Sequence, residues 1–216
     1  MSSYRSQREQ IQQQKANKKK KQLTTAAVVA VIIIVALLVI YFFPRRAVAG
    51  PSVGDPEAPV KVDMFSNYKC SYCVSFTREN EDDFIKNYVD TGKVYLTYHI
   101  FPFTDDDGQV AAEATYCAAD QNKFWEYKKQ VFENVGFSGA LADSSLDTYA
   151  QNVGLDMAQF QQCRSSDEHT STINEVRQYA QMNGVSGTPT FIVNGTLVYA
   201  GELEATVENA LAEAGN

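Results

Sequence analysis

The sequence predicts an α/β domain with a block of helices set between its second and third strands, preceded by one N-terminal transmembrane helix. Three observations predict it. Ala26–Phe43 is an unbroken apolar run of 18 residues. Downstream, short segments with apolar residues at every second position flank a long stretch of helical periodicity. Finally, Cys70-Ser71-Tyr72-Cys73 stands where the first of those strands turns into a helix, and Thr188-Pro189 stands where a later strand begins.

Residues 1–22 are polar, with seven Lys/Arg against the single acid Glu9. Their apolar content is too low to build a core, so they are expected to be a disordered, cytoplasmic basic tail. Residues 23–43 carry no charge, and a helix needs roughly 20 apolar residues to cross a bilayer. Pro44-Arg45-Arg46 ends the run. The more basic flank stays in the cytoplasm, which puts residues 47–216 on the outer side. Ala47-Val48-Ala49 has the A-x-A pattern of a cleavage site, but a signal h-region spans about 7–15 residues and lacks an interposed Arg-Arg. An uncleaved anchor is therefore expected. A buried core helix would show charge on one face.

Residues 44–57, rich in Ala, Gly and Pro, read as a linker. Val60–Phe65 reads as a strand, and Asn67-Tyr68-Lys69 as the turn into a helix from Cys70 to about Val89, stopped by Thr91-Gly92. Lys93–Ile100 alternates Val94, Leu96, Tyr98 and Ile100 as a second strand. Helices follow over about 109–120, 123–134, 145–152, 156–164 and 168–182, with Gly184 as a stop. Thr190–Val193 and Leu197–Tyr199 are short strands joined by Asn194-Gly195, a hairpin signal. Glu202–Ala214 closes the chain as a helix. This divides the outer part into an α/β domain over 58–106 and 184–216 and an inserted helical domain over 107–183.

Residues 51–216 hold 10 of the 19 Lys/Arg but 25 of the 26 Asp/Glu. Such an acidic surface speaks against nucleic-acid binding, which needs basic patches; solubility accounts for it. All four cysteines lie on the outer side, where disulfides persist, and the even count allows two pairs.

A C-x-x-C at a helix start makes two unequal thiols. Cys70, at the first turn, meets unpaired backbone N–H groups and the positive end of the helix dipole, which favour its thiolate. Cys73 lies one turn inward on nearly the same face, placed to resolve a mixed disulfide. Cys70 is thus the candidate nucleophile and Cys73 the resolving thiol. Ser71 and Tyr72 tune the pair without adding positive charge, and Tyr72 can shield it or touch a substrate. A static disulfide or half a zinc site are the other readings. Zinc needs two more ligands, there is no second C-x-x-C, and neither His99 nor His169 stands at ligand spacing. Downstream, a cis bond before Pro189 would leave the Thr188 backbone free to pair with an extended substrate; an ordinary trans turn is the alternative.

Three segments together resemble the DsbA-like thiol–disulfide oxidoreductases: Phe65 to Cys73, Ala111-Ala112-Glu113-Ala114 through Phe124-Trp125-Glu126-Tyr127, and Gly184 to Gly195. The resemblance covers nearly all of 55–214. It implies a thioredoxin fold with a helical domain inserted after the second strand, Cys70 and Cys73 as the redox pair, Pro189 as a cis-proline opposite them, and no cofactor. The anchor resembles that of Gram-positive-type members tethered outside the cell membrane. Two positions depart from the family. Ser71 follows the first cysteine where many relatives have another residue. Many relatives also carry a buried acid six residues before that cysteine. Here Met64 holds that place and Asp63, the candidate tuning acid, is one residue earlier, on the opposite strand face by alternation.

Cys117 and Cys163 both fall in the helical block and are expected to form a structural disulfide; two separate buried thiols are the alternative. His99 reads as structural, Asp105-Asp106-Asp107 as a solvated capping turn without calcium-loop spacing, and Trp125 as core. The resulting expectation is a membrane-tethered enzyme that donates its disulfide to reduced exported proteins and is reoxidised by a membrane quinone-linked thiol oxidase. An isomerase or reductase of the same fold, or an anchored binding module with a permanent C-x-x-C staple, are the alternatives.

Overall fold

A computed structural model describes residues 33–34, 48–102 and 106–215. The span expected at 23–43 lies outside these residues except for Ile33 and Ile34, which are helical. No helix among the described residues is long and apolar enough to cross a membrane.

From Val48 onward the chain is one compact unit. Its strands are β1 (Ser52–Val53), β2 (Val60–Ser66), β3 (Val94–Ile100), β4 (Thr190–Val193) and β5 (Thr196–Tyr199). They form one sheet in the order β1-β3-β2-β4-β5, with β2 and β3 parallel and the other neighbours antiparallel. Helices α1 (Ser71–Glu79) and α2 (Glu81–Phe84) and a π-helical turn (Ile85–Val89) link β2 to β3. Helices α3 (Asp106–Ala119), α4 (Phe124–Asn134), α5 (Asp143–Asn152), α6 (Met157–Ser165) and α7 (Thr170–Met182) run between β3 and β4. A 3₁₀ turn (Ala200–Glu202) leads into α8 (Leu203–Ala214).

The central strand β2 is buried on one face at Val60, Val62, Met64 and Ser66 and on the other at Phe65, with Asp63 half-buried and Lys61 exposed. Val62, Met64, Leu96, Tyr98, Phe191 and Val193 share one face through their register. That face packs against Phe76 of α1, Phe84 of α2, Leu203 and Val207 of α8, and the helical block. Phe65 and Ile192 point the other way, against Val176, Tyr179 and Ala180 of α7. The Asn194-Gly195 turn uses positive φ at both residues, the geometry that matches strand twist in a two-residue hairpin.

Two local expectations differ from the structure. The segment read as linker contributes β1, whose Ser52 and Val53 pair with Thr97 and Leu96. The helix expected from Cys70 to Val89 is broken at Asn80, which leaves helical geometry at φ −127° and serves both as the end of α1 and the start of α2.

Candidate active site

Cys70 is the residue before the first turn of α1, in extended conformation, and its carbonyl accepts from Val74 N at 3.0 Å. The turn that delivers it is locally determined. Asn67 accepts at its carbonyl from Cys70 N (3.1 Å) and at Oδ1 from Lys69 N (2.8 Å). Tyr68 is buried, bonded to Thr115 of α3 at 2.7 Å and packed on Phe132 of α4. Arg78, in the last turn of α1, donates through Nε and Nη2 to the carbonyl of Phe132 (3.1 and 2.7 Å) and through Nη2 to those of Glu133 and Val135 (3.1 and 3.0 Å). These carbonyls end α4, where a cation is favoured. The helix bearing Cys73 is thus clamped to the helical block at both ends.

Both thiols are free; Cys70 is half-buried and Cys73 buried. The peptide Thr188–Pro189 is cis, and the Cys70 thiol donates to the Thr188 carbonyl across 3.0 Å, linking residues 118 apart in sequence. The structure therefore brings Cys70, Cys73, Thr188 and Pro189 together. Partial burial works against ionising Cys70, but the Thr188 hydroxyl and the backbone N–H groups of Cys73 and Tyr72 outweigh it, and its pKa falls below the ordinary value. Burial pushes the Cys73 thiol up to about 11; the Ser66 and Thr188 hydroxyls and the Asn67 N–H only moderate the rise. Asn67 N approaches Cys73 Sγ at 3.5 Å. The two thiols differ as the helix-start argument requires, through the deeper burial of Cys73 and the hydrogen bonds directed at Cys70 rather than through a nearby cation. Ser71 and Tyr72 are exposed, Tyr72 at 77%.

Asp63 is not brought to this pair. It lies on the opposite sheet face, where Oδ1 meets His99 Nε2 at 2.7 Å and Oδ2 accepts from Tyr179 at 3.1 Å. His99 is buried and stacked on Phe65, so both residues join β2, β3 and α7. Cys117 of α3 and Cys163 of α6 form a disulfide with S–S 2.01 Å. Trp125 is half-buried at the edge of the main core. Sequence reasoning did not single out Ser66, whose hydroxyl faces Cys73. The signal available was alternation, since Ser66 shares its strand face with Met64.

The family model for thioredoxin matches residues 46–212. The chain belongs to the thioredoxin family. Disulfide bond formation protein D of Bacillus subtilis is 28% identical over 181 residues, covering 74% of this chain and 77% of that protein. The Na(+)/H(+) antiporter NhaA 1 of Salinispora arenicola is 35% identical over 147 residues, 66% of this chain. The chain spans only about a fifth of that antiporter's length (21%). Among solved structures, oxidised BdbD of Bacillus subtilis superposes with TM-score 0.70 at 22% identity, over 76% of this chain and 93% of that one. The fold of this thioredoxin-family chain is thus the DsbA-like one, with helices between β3 and β4.

Proposed function

We propose that this protein is an extracytoplasmic, membrane-tethered thiol–disulfide oxidoreductase that donates the Cys70–Cys73 disulfide to reduced exported proteins. The inequality of the two thiols carries this reading. Cys70 is accessible and acidified; Cys73 is buried, with its pKa raised to about 11. A substrate thiolate attacks Cys70 Sγ, the Cys70–Cys73 bond breaks, and Cys73 takes the electron pair. A second substrate thiolate attacks the substrate sulfur of the mixed disulfide, and Cys70 leaves as thiolate. Stabilising that thiolate favours the reduced enzyme and makes the disulfide form a stronger oxidant. Extended substrate pairs with the Thr188 backbone beside Pro189, and exposed Tyr72 contacts its side chains.

The apolar run 26–43 with its basic N-terminal flank supports an anchor with the domain outside. The likeness to a disulfide bond formation protein supports the direction of transfer. Sustained turnover requires reoxidation, which we assign to a membrane quinone-linked thiol oxidase. The test is oxidative refolding of reduced ribonuclease. Wild type is expected to accelerate it and Cys70→Ser to abolish the effect; no acceleration by wild type, or full activity in the variant, refutes the reading.

A further inference from the structure

The helical block holds a cluster of metal-ligating side chains that the Cys70–Cys73 chemistry does not use. Cys117 lies in the last turn of α3, and Asp120 directly follows that helix. Cys163 lies in the last turn of α6, and His169 is the residue before α7. The fold brings all four together. The two sulfurs and a ring nitrogen of His169 lie within 4.8 Å of one another. Asp120 Oδ2 is 2.7 Å from His169 Nε2 and 3.7 Å from Cys163 Sγ.

His169 is fixed beside the sulfurs from three sides. The buried carboxylate of Glu113, on α3, accepts from its backbone N–H at 2.6 Å. The Tyr116 ring lies 5.8 Å from the imidazole, centroid to centroid, and Asp120 meets Nε2. The loop that delivers His169 is tight. Glu168 N bonds back to the Cys163 carbonyl at 3.4 Å. Asp167 takes φ 51°, left-handed backbone that few non-glycine residues visit. A disulfide needs neither an imidazole nor a carboxylate beside it, and a partly exposed His–Asp pair adds little stability of its own. Two thiolates, an imidazole and a carboxylate do make a complete donor set for zinc. With ligand bonds of about 2.0–2.3 Å, neighbouring donors around one tetrahedral zinc ion stand about 3.3–3.8 Å apart. Side-chain movements reach that arrangement once the bond between the two sulfurs is open. A cleft of about 280 Å³, lined by Cys117, Asp120, Gln121, Cys163 and Glu168, gives the ion an entry path.

We propose that Cys117–Cys163 is a redox-gated zinc site. When a dithiol opens the disulfide, one Zn²⁺ binds Cys117, Cys163, His169 and Asp120 and takes over the link between α3 and α6. The inference stands apart from the role of Cys70–Cys73. In the opening step two electrons pass from the dithiol to the Cys117–Cys163 bond. The dithiol closes to its own disulfide, and its two protons go to the two released sulfurs. Zinc binding then sends those two protons to solvent as both sulfurs become thiolates. His169 binds as neutral imidazole, and Asp120 exchanges its hydrogen bond with the ring for the ion. Oxidation of the two thiolates by a disulfide-bearing partner re-forms the bond, reduces that partner to a dithiol and expels the ion. Thiolate and imidazole select zinc over magnesium and calcium, which take oxygen ligands. The ion would tie α3 and α6 to the start of α7, so the helical block keeps a cross-link in both redox states.

The test uses full-length protein in detergent carrying Cys70→Ser and Cys73→Ser, so that the helical-block sulfurs are the only ones from cysteine. It is reduced with a phosphine, desalted without oxygen, and titrated with Co²⁺ and then Zn²⁺; the oxidised form is titrated alongside. The reduced form is expected to take one ion per chain and the oxidised form none. Bound cobalt should show thiolate charge-transfer absorption and the strong visible bands of a tetrahedral site, and Zn²⁺ should bleach both. His169→Ala and Asp120→Ala should each weaken zinc binding at least about tenfold in competition with a chromophoric chelator. Reduced protein that takes up no cobalt overturns the proposal. So does an affinity unchanged in either variant, which would leave the thiols acting alone, and so does equal binding by the oxidised form. Should the reduced chain unfold without metal, circular dichroism decides. Zinc that restores the helical signal in the parent but not in His169→Ala supports the site; zinc that restores it in neither, or equally in both, overturns it.

Discussion

Reduced protein treated with iodoacetamide at pH 7 should be alkylated at Cys70 long before Cys73. Only the thiolate reacts, so the ionised fractions set the minimum contrast. With its pKa near 11, Cys73 is ionised in about one molecule in 10⁴ at pH 7. Cys70 lies below the ordinary thiol value of 9.0 and is ionised in more than about one in 100. Ionisation alone therefore gives a rate ratio above about 100, and the burial of Cys73 widens it. Raising the pH from 7 to 9 should speed Cys73 about 100-fold, while Cys70 flattens once the pH passes its lowered pKa. Peptide mapping by mass spectrometry over a time course measures both. Comparable rates at pH 7, or modification of Cys73 first, would refute the assigned inequality and with it the nucleophile's identity.

Other consequences can be checked on the same protein. Because the Cys73 pKa is raised in the folded state, reduced Cys70→Ser protein should keep full stability below about pH 9 and lose up to about 3 kcal/mol as pH rises toward 11; urea midpoints across that window measure it, and a flat profile contradicts the assigned burial. Replacing Cys117 and Cys163 together by Ser opens a link between residues 46 apart and should cost about 4 kcal/mol in the chain-entropy account, read from chemical unfolding. Tyr72→Ala should leave stability within about 0.5 kcal/mol, since the ring is exposed, while raising KM for an unfolded protein substrate more than for a small thiol.

The elements that can be read from the sequence are those whose signals are local. Val60, Val62 and Met64 announce β2 by alternation, Asn194-Gly195 announces the β4–β5 hairpin, and the apolar spacing of Phe124, Tyr127, Val131 and Phe132 announces α4. What escapes depends on partners distant in the chain. β1 is two residues inside a Pro- and Gly-rich segment and exists only because β3 has an edge to offer. The break at Asn80 lets Glu81 turn inward to Lys128, 47 residues away, and no pattern near either residue marks a buried pair. Site residues divide the same way. Cys70 and Cys73 are legible from spacing and from the helix start. Asp63 shows the limit: alternation placed it opposite Met64, but only the fold shows that His99 and Tyr179 hold it there.

The measurement that tests the central claim most directly is the equilibrium potential of the Cys70–Cys73 couple against glutathione. An acidified Cys70 thiolate stabilises the reduced form, so the account predicts an oxidising potential, nearer the value of about −120 mV for DsbA than that of about −270 mV for thioredoxin. A potential at or below the thioredoxin value would contradict the donor role and assign electron flow in the opposite direction.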